Sequence, residues 1–118
     1  MPRPSAHADP FLAVADPTRR AILDQLRGGD APVAQLAAAF DMTRPAVSRH
    51  LRVLRDARLV RERRGGEDGR QRIYQLTPDP LRDVARWAEQ YESFWQDGLA
   101  RLKRHVERGT QRGRKERG

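Results

Sequence analysis

The chain has 118 residues and a formal net charge of +8, with a sequence pI near 11.2. That length suits one domain, large enough for a core and small enough to gain from dimerisation, and the positive balance favours a polyanionic partner such as nucleic acid. The absence of cysteine excludes disulfides, thiolate metal sites and cysteine nucleophiles. No run approaches a membrane span and no apolar signal segment opens the chain, so a cytoplasmic protein is expected.

Met1–Ala8 has two prolines and no periodicity and reads as a flexible arm. Residues 9–108 then form the structured domain. Phe11, Leu12 and Val14 predict a short first helix. Asp16 before Pro17 is a capping residue followed by proline in the first turn, and Ile22, Leu23 and Leu26 give the second helix its apolar face. Gly28-Gly29 stops it. A third helix is predicted over 32–40, with Val33, Leu36, Ala37 and Phe40 at helical spacing. Asp41-Met42 makes a tight turn into a fourth helix.

That fourth helix, within DMTRPAVSRHLRVLRDARLV, is the most informative part of the chain. Thr43 stands at an N-cap and Pro45 in the first turn, where a missing N–H costs nothing. Val47, Leu51 and Leu54 follow at i, i+4 and i+7, placing them on one side. Ser48, Arg49, Arg52 and Asp56 fall on the flank or opposite side. A helix that buries aliphatics and shows short polar residues and arginines near its N-terminus suits the major groove of DNA.

After Ala57 the period changes. Residues 59–63 and 72–76 read as two short strands around the loop GGEDGR, which suits a hairpin. That loop precedes a strand and not a helix, so it is no phosphate-binding loop. Thr77-Pro78-Asp79-Pro80 opens one long helix over 81–106, and the basic segment 109–118 is expected to be disordered. The order is helix, helix, helix, recognition helix, hairpin, long helix: a mainly α fold with a small β-hairpin, a winged helix-turn-helix with a helix added at each end.

The segments DPTRRAILDQL, MTRPAVSRHLRVLRDARLV and RRGGEDGRQRIYQL resemble the ArsR-like (arsenic-repressor) family of bacterial transcription regulators. The likeness runs over about 8–108. It implies a winged-helix homodimer that binds a palindromic operator in double-stranded DNA and represses transcription. The family's recognition-helix positions fall on Thr43, Arg44, Ser48, Arg49, His50 and Arg52. Thr43, Ser48 and the helix N-terminus are suited to phosphate, Arg44 and Arg49 to guanine edges, and Arg52 to the backbone. The wing residues Arg63, Arg64, Arg70 and Arg72 are expected to reach phosphates or an adjacent minor groove. Composition alone is ambiguous, because arginine makes up 22 of the 24 basic residues. Placement is more telling: between Asp41 and Pro78, ten arginines face five carboxylates, a net of +5. Arg55, Arg58 and Arg61 are expected to be solvated or paired with Asp56 and Glu62. For His50, packing beside the buried stripe stays as open as a DNA contact, and Tyr74 is expected half-buried against the wing.

Many members of the family sense metals or arsenicals, and here the sequence departs from them. Where the family carries cysteines on the third helix, this chain has APVAQLA (31–37), and two residues after Asp83 stands Ala85 where histidine is needed. No metal or cofactor is therefore expected. The last helix has aromatic density instead: Trp87, Tyr91, Phe94 and Trp95 are four of the seven aromatic residues. The resemblance makes the terminal helices a dimer interface, assigning to it Phe11, Leu12, Leu81, Val84, Ala88, Tyr91, Trp95, Leu99 and Leu102. A small-molecule pocket is the sharper alternative, although nothing polar converges there to orient a ligand. The WxxxYxxFW pattern is similar to a metal-independent subgroup whose members are often autorepressors or are encoded beside START-like domain proteins.

No catalytic constellation appears, so an enzyme is not expected. A non-specific architectural DNA binder is the main alternative, supported by Arg112, Arg114, Lys115 and Arg117. A ligand- or metal-responsive repressor is less favoured.

Overall fold

A computed structural model describes the backbone of residues 9–117 and side chains as far as Gly109. The flexible arm expected at 1–8 and the side chains of the basic tail lie outside the described residues. The chain divides into two units, one ending at Val84 and the other beginning at Ala85.

In the first unit, α1 (Pro10–Ala13) and α2 (Pro17–Arg27) each begin with an aspartate cap and a proline in the first turn. The carboxylate of Asp9 accepts the Phe11 N–H at 2.8 Å and that of Asp16 accepts the Arg19 N–H at 2.9 Å. Each cap satisfies an amide that the first helical turn leaves unpaired. α3 (Val33–Ala39) and α4 (Arg44–Asp56) form the helix-turn-helix.

The two helices of that motif end in the same way. Past α3, Asp41 has φ 51°, the Met42 N–H donates to Ala37 O at 3.0 Å and the Asp41 N–H to Ala38 O at 3.4 Å. Past α4, Arg58 has φ 61°, and the N–H groups of Leu59 and Arg58 donate to Leu54 O and Arg55 O, both at 2.9 Å. These are Schellman endings, in which a left-handed residue turns the chain sharply and the next side chain returns to the core. Leu59 is fully buried, and Met42 packs against the core. Glycine usually takes the left-handed position; here aspartate and arginine do, the arginine at greater steric cost.

The sheet has three antiparallel strands in the order β1-β3-β2: β1 (Ala31–Pro32), β2 (Val60–Gly65) and β3 (Gln71–Leu76). The wing hairpin runs in register from Val60 opposite Leu76 to Gly65 opposite Gln71. β1 was not foreseen. It is two residues long, one of them a proline that offers only a carbonyl, so it carries no alternation to read. Its place at the sheet edge lets Ala31 pair with Tyr74 and ties the start of α3 to the wing.

The core is built from Ile22 and Leu26 of α2, Leu36 of α3, Val47, Leu51 and Leu54 of α4, and Leu59, Val60 and Tyr74 of the wing. The buried stripe read from the spacing of α4 is the buried stripe observed.

The expected single helix over 81–106 is two helices, α5 (Leu81–Glu89) and α6 (Glu92–Arg117). At the junction the Gln90 and Tyr91 amides bond three residues back, to Trp87 O and Ala88 O, at 3.2 and 3.0 Å. Tightening the last turn in this way interrupts the four-residue ladder, and Glu92 begins a new helix with its charge at the positive end. Apolar spacing runs straight through Tyr91, so periodicity gave no warning of the break. α6 also continues through 109–117, where disorder was expected. Arg, Gln, Lys and Glu are good helix formers, and adding residues to an existing helix is far easier than nucleating one, which offsets the glycines there.

Candidate nucleic-acid interface

α4 divides its surface among three neighbours. Its inner side, Val47, Leu51 and Leu54, is buried. One flank faces α2, where His50 Nδ1 lies 3.9 Å from the Asp16 carboxylate. Arg19's N–H holds that carboxyl below its usual range, with the charges of Arg19 and His50 adding to the effect. His50 is half-buried and directed at the α2 cap, so the packing alternative describes it better than a base contact.

The other flank lines a cleft of about 400 Å³ between α4, the start of α3 and β3. Arg44, Ser48, Arg52 and Arg55 form one wall at i, i+4, i+8 and i+11, while Gln71, Arg72 and Tyr74 form the facing one. Pro32, Val33 and Ala34 close the end. Four guanidiniums, the Ser48 hydroxyl and the Gln71 amide around one open cleft offer donors to an anionic backbone. The Thr43 hydroxyl oxygen caps α4 by accepting the Ala46 N–H at 3.3 Å, and a hydroxyl that accepts keeps a proton it can donate.

Arg55, expected to be solvated or paired, is paired and also belongs to this wall. Its Nη1 lies 3.5 Å from Glu62 Oε2. The same carboxylate accepts the Tyr74 hydroxyl at 3.0 Å and faces Arg72 Nε at 3.8 Å. Tyr74 is more buried than expected, 5% exposed. Burial pushes its phenol above the usual value and the Glu62 carboxylate adds to the rise, so it stays a protonated donor. The signal missed in the sequence was that Arg55 sits three helical turns after Arg44, on the same face.

The remaining predicted site residues divide into two groups. Arg63 is drawn to Asp30, the residue before β1, at 3.3 Å. Arg44, Arg49, Arg52, Arg64 and Arg70 are exposed, and among the described residues no carboxylate lies within ion-pair distance of them. They are the unpaired cations among the predicted site residues.

The second unit has a different surface. Tyr91, Phe94, Trp95, Leu99, Leu102 and Val106 are exposed, with Trp95 at 64% and Leu99 at 65%. Trp87 and Tyr91 meet edge to face at 5.4 Å. Of the other residues assigned to an interface, Phe11, Leu12 and Ala88 are exposed and Val84 is half-buried. Leu81 instead packs on the core of the first unit, which removes most of it from any interface.

Comparison with known proteins fits this arrangement. The family model for bacterial regulatory proteins of the arsR family matches residues 16–62. The chain is 38% identical to the transcriptional repressor SdpR of Bacillus subtilis, over 65% of this chain and 82% of that one. It is 44% identical to the HTH-type transcriptional regulator Rv2034 of Mycobacterium tuberculosis, over 75% of this chain and 78% of that one. The chain belongs to the arsR family. Among solved structures, an ArsR-like transcriptional regulator from Rhodococcus sp. RHA1 superposes with a TM-score of 0.60 at 29% identity, covering 85% of this chain and 92% of that one. As an arsR-family protein the chain is a DNA-binding transcriptional regulator with a winged helix-turn-helix, and the expected fold class holds. Among the described residues no helix is long and apolar enough to cross a membrane.

Proposed function

We propose that this arsR-family protein is a homodimeric repressor that reads a palindromic operator through α4 and needs no metal to do so. The observation that carries the reading is the outward face of α4, where Arg44, Ser48, Arg49 and Arg52 stand exposed beside an arginine-lined cleft. In this reading Arg44 and Arg49 address guanine edges. Thr43, Ser48, Arg52 and the wing residues Arg64, Arg70 and Arg72 hold the backbone. Arg63 and His50 instead keep the contact of β2 with Asp30 and the α2–α4 contact in place.

Pairing is supported by the exposed apolar row of α6, together with Phe11 and Leu12 of α1. Two copies joined through their first and last helices would set two recognition helices about 34–36 Å apart, one turn of DNA. Metal independence is supported by the side chains at 31–37 and at Ala85, which offer no ligand. The protein would act in the bacterial cytoplasm by occluding the promoter it covers.

The test is fluorescence anisotropy on the DNA upstream of the protein's own gene against a scrambled duplex, with and without chelator. Selective, chelator-indifferent binding is expected. Arg49→Ala should weaken binding to the specific duplex by about 1–3 kcal/mol and leave the scrambled one nearly unchanged. Equal losses on both would remove Arg49 from base reading, and equal wild-type affinity for both duplexes would favour an architectural binder.

A further inference from the structure

Glu62 stands where a DNA-binding surface has least use for a negative charge, between two arginines of the cleft. It lies on β2, with a side chain 25% exposed. Its position is set from the buried side, by the Tyr74 hydroxyl at 3.0 Å. From there Oε2 reaches Arg55 of α4 at 3.5 Å, and Oε1 faces Arg72 of β3 at 3.8 Å. One carboxylate thus joins the recognition helix to the wing and occupies two of the four guanidiniums around the cleft.

We infer that Glu62 is a positioning residue that sets sequence selectivity, by tying Arg55 and Arg72 in place and withholding them from phosphates met in any other register. The inference rests on the DNA-binding reading above. Phosphate contacts are indifferent to sequence, so long, free arginines strengthen binding to every duplex. Arginines held by a fixed carboxylate meet a phosphate only when base contacts have set the docking register. On a scrambled duplex, engaging them requires breaking the pair with Glu62. On the operator they are already organised. Removing the carboxylate therefore favours non-specific binding most.

Glu62→Gln keeps the shape and a hydrogen-bonding oxygen for Tyr74 but discards the charge. Its affinity for a scrambled duplex should rise roughly tenfold near 0.1 M salt, and its plot of log K against log salt should steepen by about 0.9 for each arginine freed. Operator affinity should rise less, so the ratio of specific to non-specific affinity falls. Tyr74→Phe separates position from charge: it removes the hydroxyl that fixes Glu62 and leaves net charge unaltered, and it should also lower that ratio.

The measurements are anisotropy titrations of full-length wild type and both variants, at several salt concentrations, on operator and scrambled duplexes. Circular dichroism melting confirms that each variant is folded. An unchanged salt slope with a lowered melting temperature would make Glu62 merely structural and overturn the inference. Equal gains on both duplexes, or a ratio untouched by Tyr74→Phe, would reduce it to a general charge effect and also overturn it. If the wild type discriminates normally in those cases, the repressor reading survives; if the wild type binds neither duplex, both fall.

Discussion

Trp95→Ala tests the pairing of two copies most directly. Within one protomer the indole is 64% exposed, so roughly 160 Å² of a side chain of about 250 Å² is uncovered. At about 25 cal/mol per Å², covering it in a dimer is worth up to ~4 kcal/mol per copy. A symmetric interface loses the side chain from both copies. Area converts poorly into affinity between proteins, because ordering and imperfect desolvation offset part of it. A loss of about 3 kcal/mol for the dimer is therefore the conservative expectation, or more than a hundredfold in the dissociation constant. Sedimentation equilibrium across nanomolar to micromolar protein should find the wild type dimeric and the variant mainly monomeric. Protomer folding should change little, because an exposed side chain lost from a helix surface alters stability by no more than about 0.5 kcal/mol. A folded variant that dissociates with the wild-type constant would refute the assignment of α6 to the interface.

Three further outcomes follow from the first unit. Leu51→Ala removes a fully buried side chain at the centre of the core and should cost about 3–4 kcal/mol in urea unfolding; a loss under ~1 kcal/mol would mean that the site collapses or is not the core. Asp16→Ala should cost about 1 kcal/mol through the lost cap of α2. Because the Asp16 carboxyl is held below its ordinary value, its contribution is complete above pH ~4 and is lost as pH falls through the lowered value, so the variant should show a shallower acid transition than wild type. Arg58→Gly relieves a left-handed residue at φ 61° and should raise stability by up to ~1 kcal/mol in thermal melts, where a decrease would show that the arginine side chain contributes more than its backbone strain removes.

Much of this molecule was legible in the sequence because its local signals agree with one another. Asp16 and Thr43 stand at two helix starts, each followed by proline in the first turn, and each side chain makes its capping bond. The buried stripe of α4 follows from three aliphatics at helical spacing. What escaped the sequence was set by contacts distant along the chain or by the backbone itself. β1 exists only because β3 lies beside it. The break at Gln90–Tyr91 is a change of hydrogen-bond partner within an unbroken apolar pattern. The site was legible as a helix face but not as a cleft, since the facing wall comes from β3 and is brought across by the hairpin register. The resemblance placed His50 and Arg63 among the DNA contacts, with packing left open for His50, and the fold brings a carboxylate close to each, Asp16 and Asp30 respectively.

The distribution of carboxylates around these arginines sorts them by role more sharply than the arginines do themselves. Arg63 is fixed to Asp30, the residue before β1, and Arg55 and Arg72 of the cleft share Glu62. Arg44, Arg49 and Arg52 on α4, and Arg64 and Arg70 towards the wing tip, are left to solvent. A surface selected only for charge would leave every arginine free, since each pairing removes a cation from the field that attracts DNA. Here Arg55 and Glu62 link α4 to the wing, Arg63 and Asp30 link β2 to the residue before β1, and Arg72 shares Glu62 from β3, directly across the hairpin from the unpaired Arg64. The Glu62 pair thus fixes the angle between α4 and the wing, while Arg44, Arg49 and Arg52 keep their reach, an arrangement suited to the proposed reading of base edges.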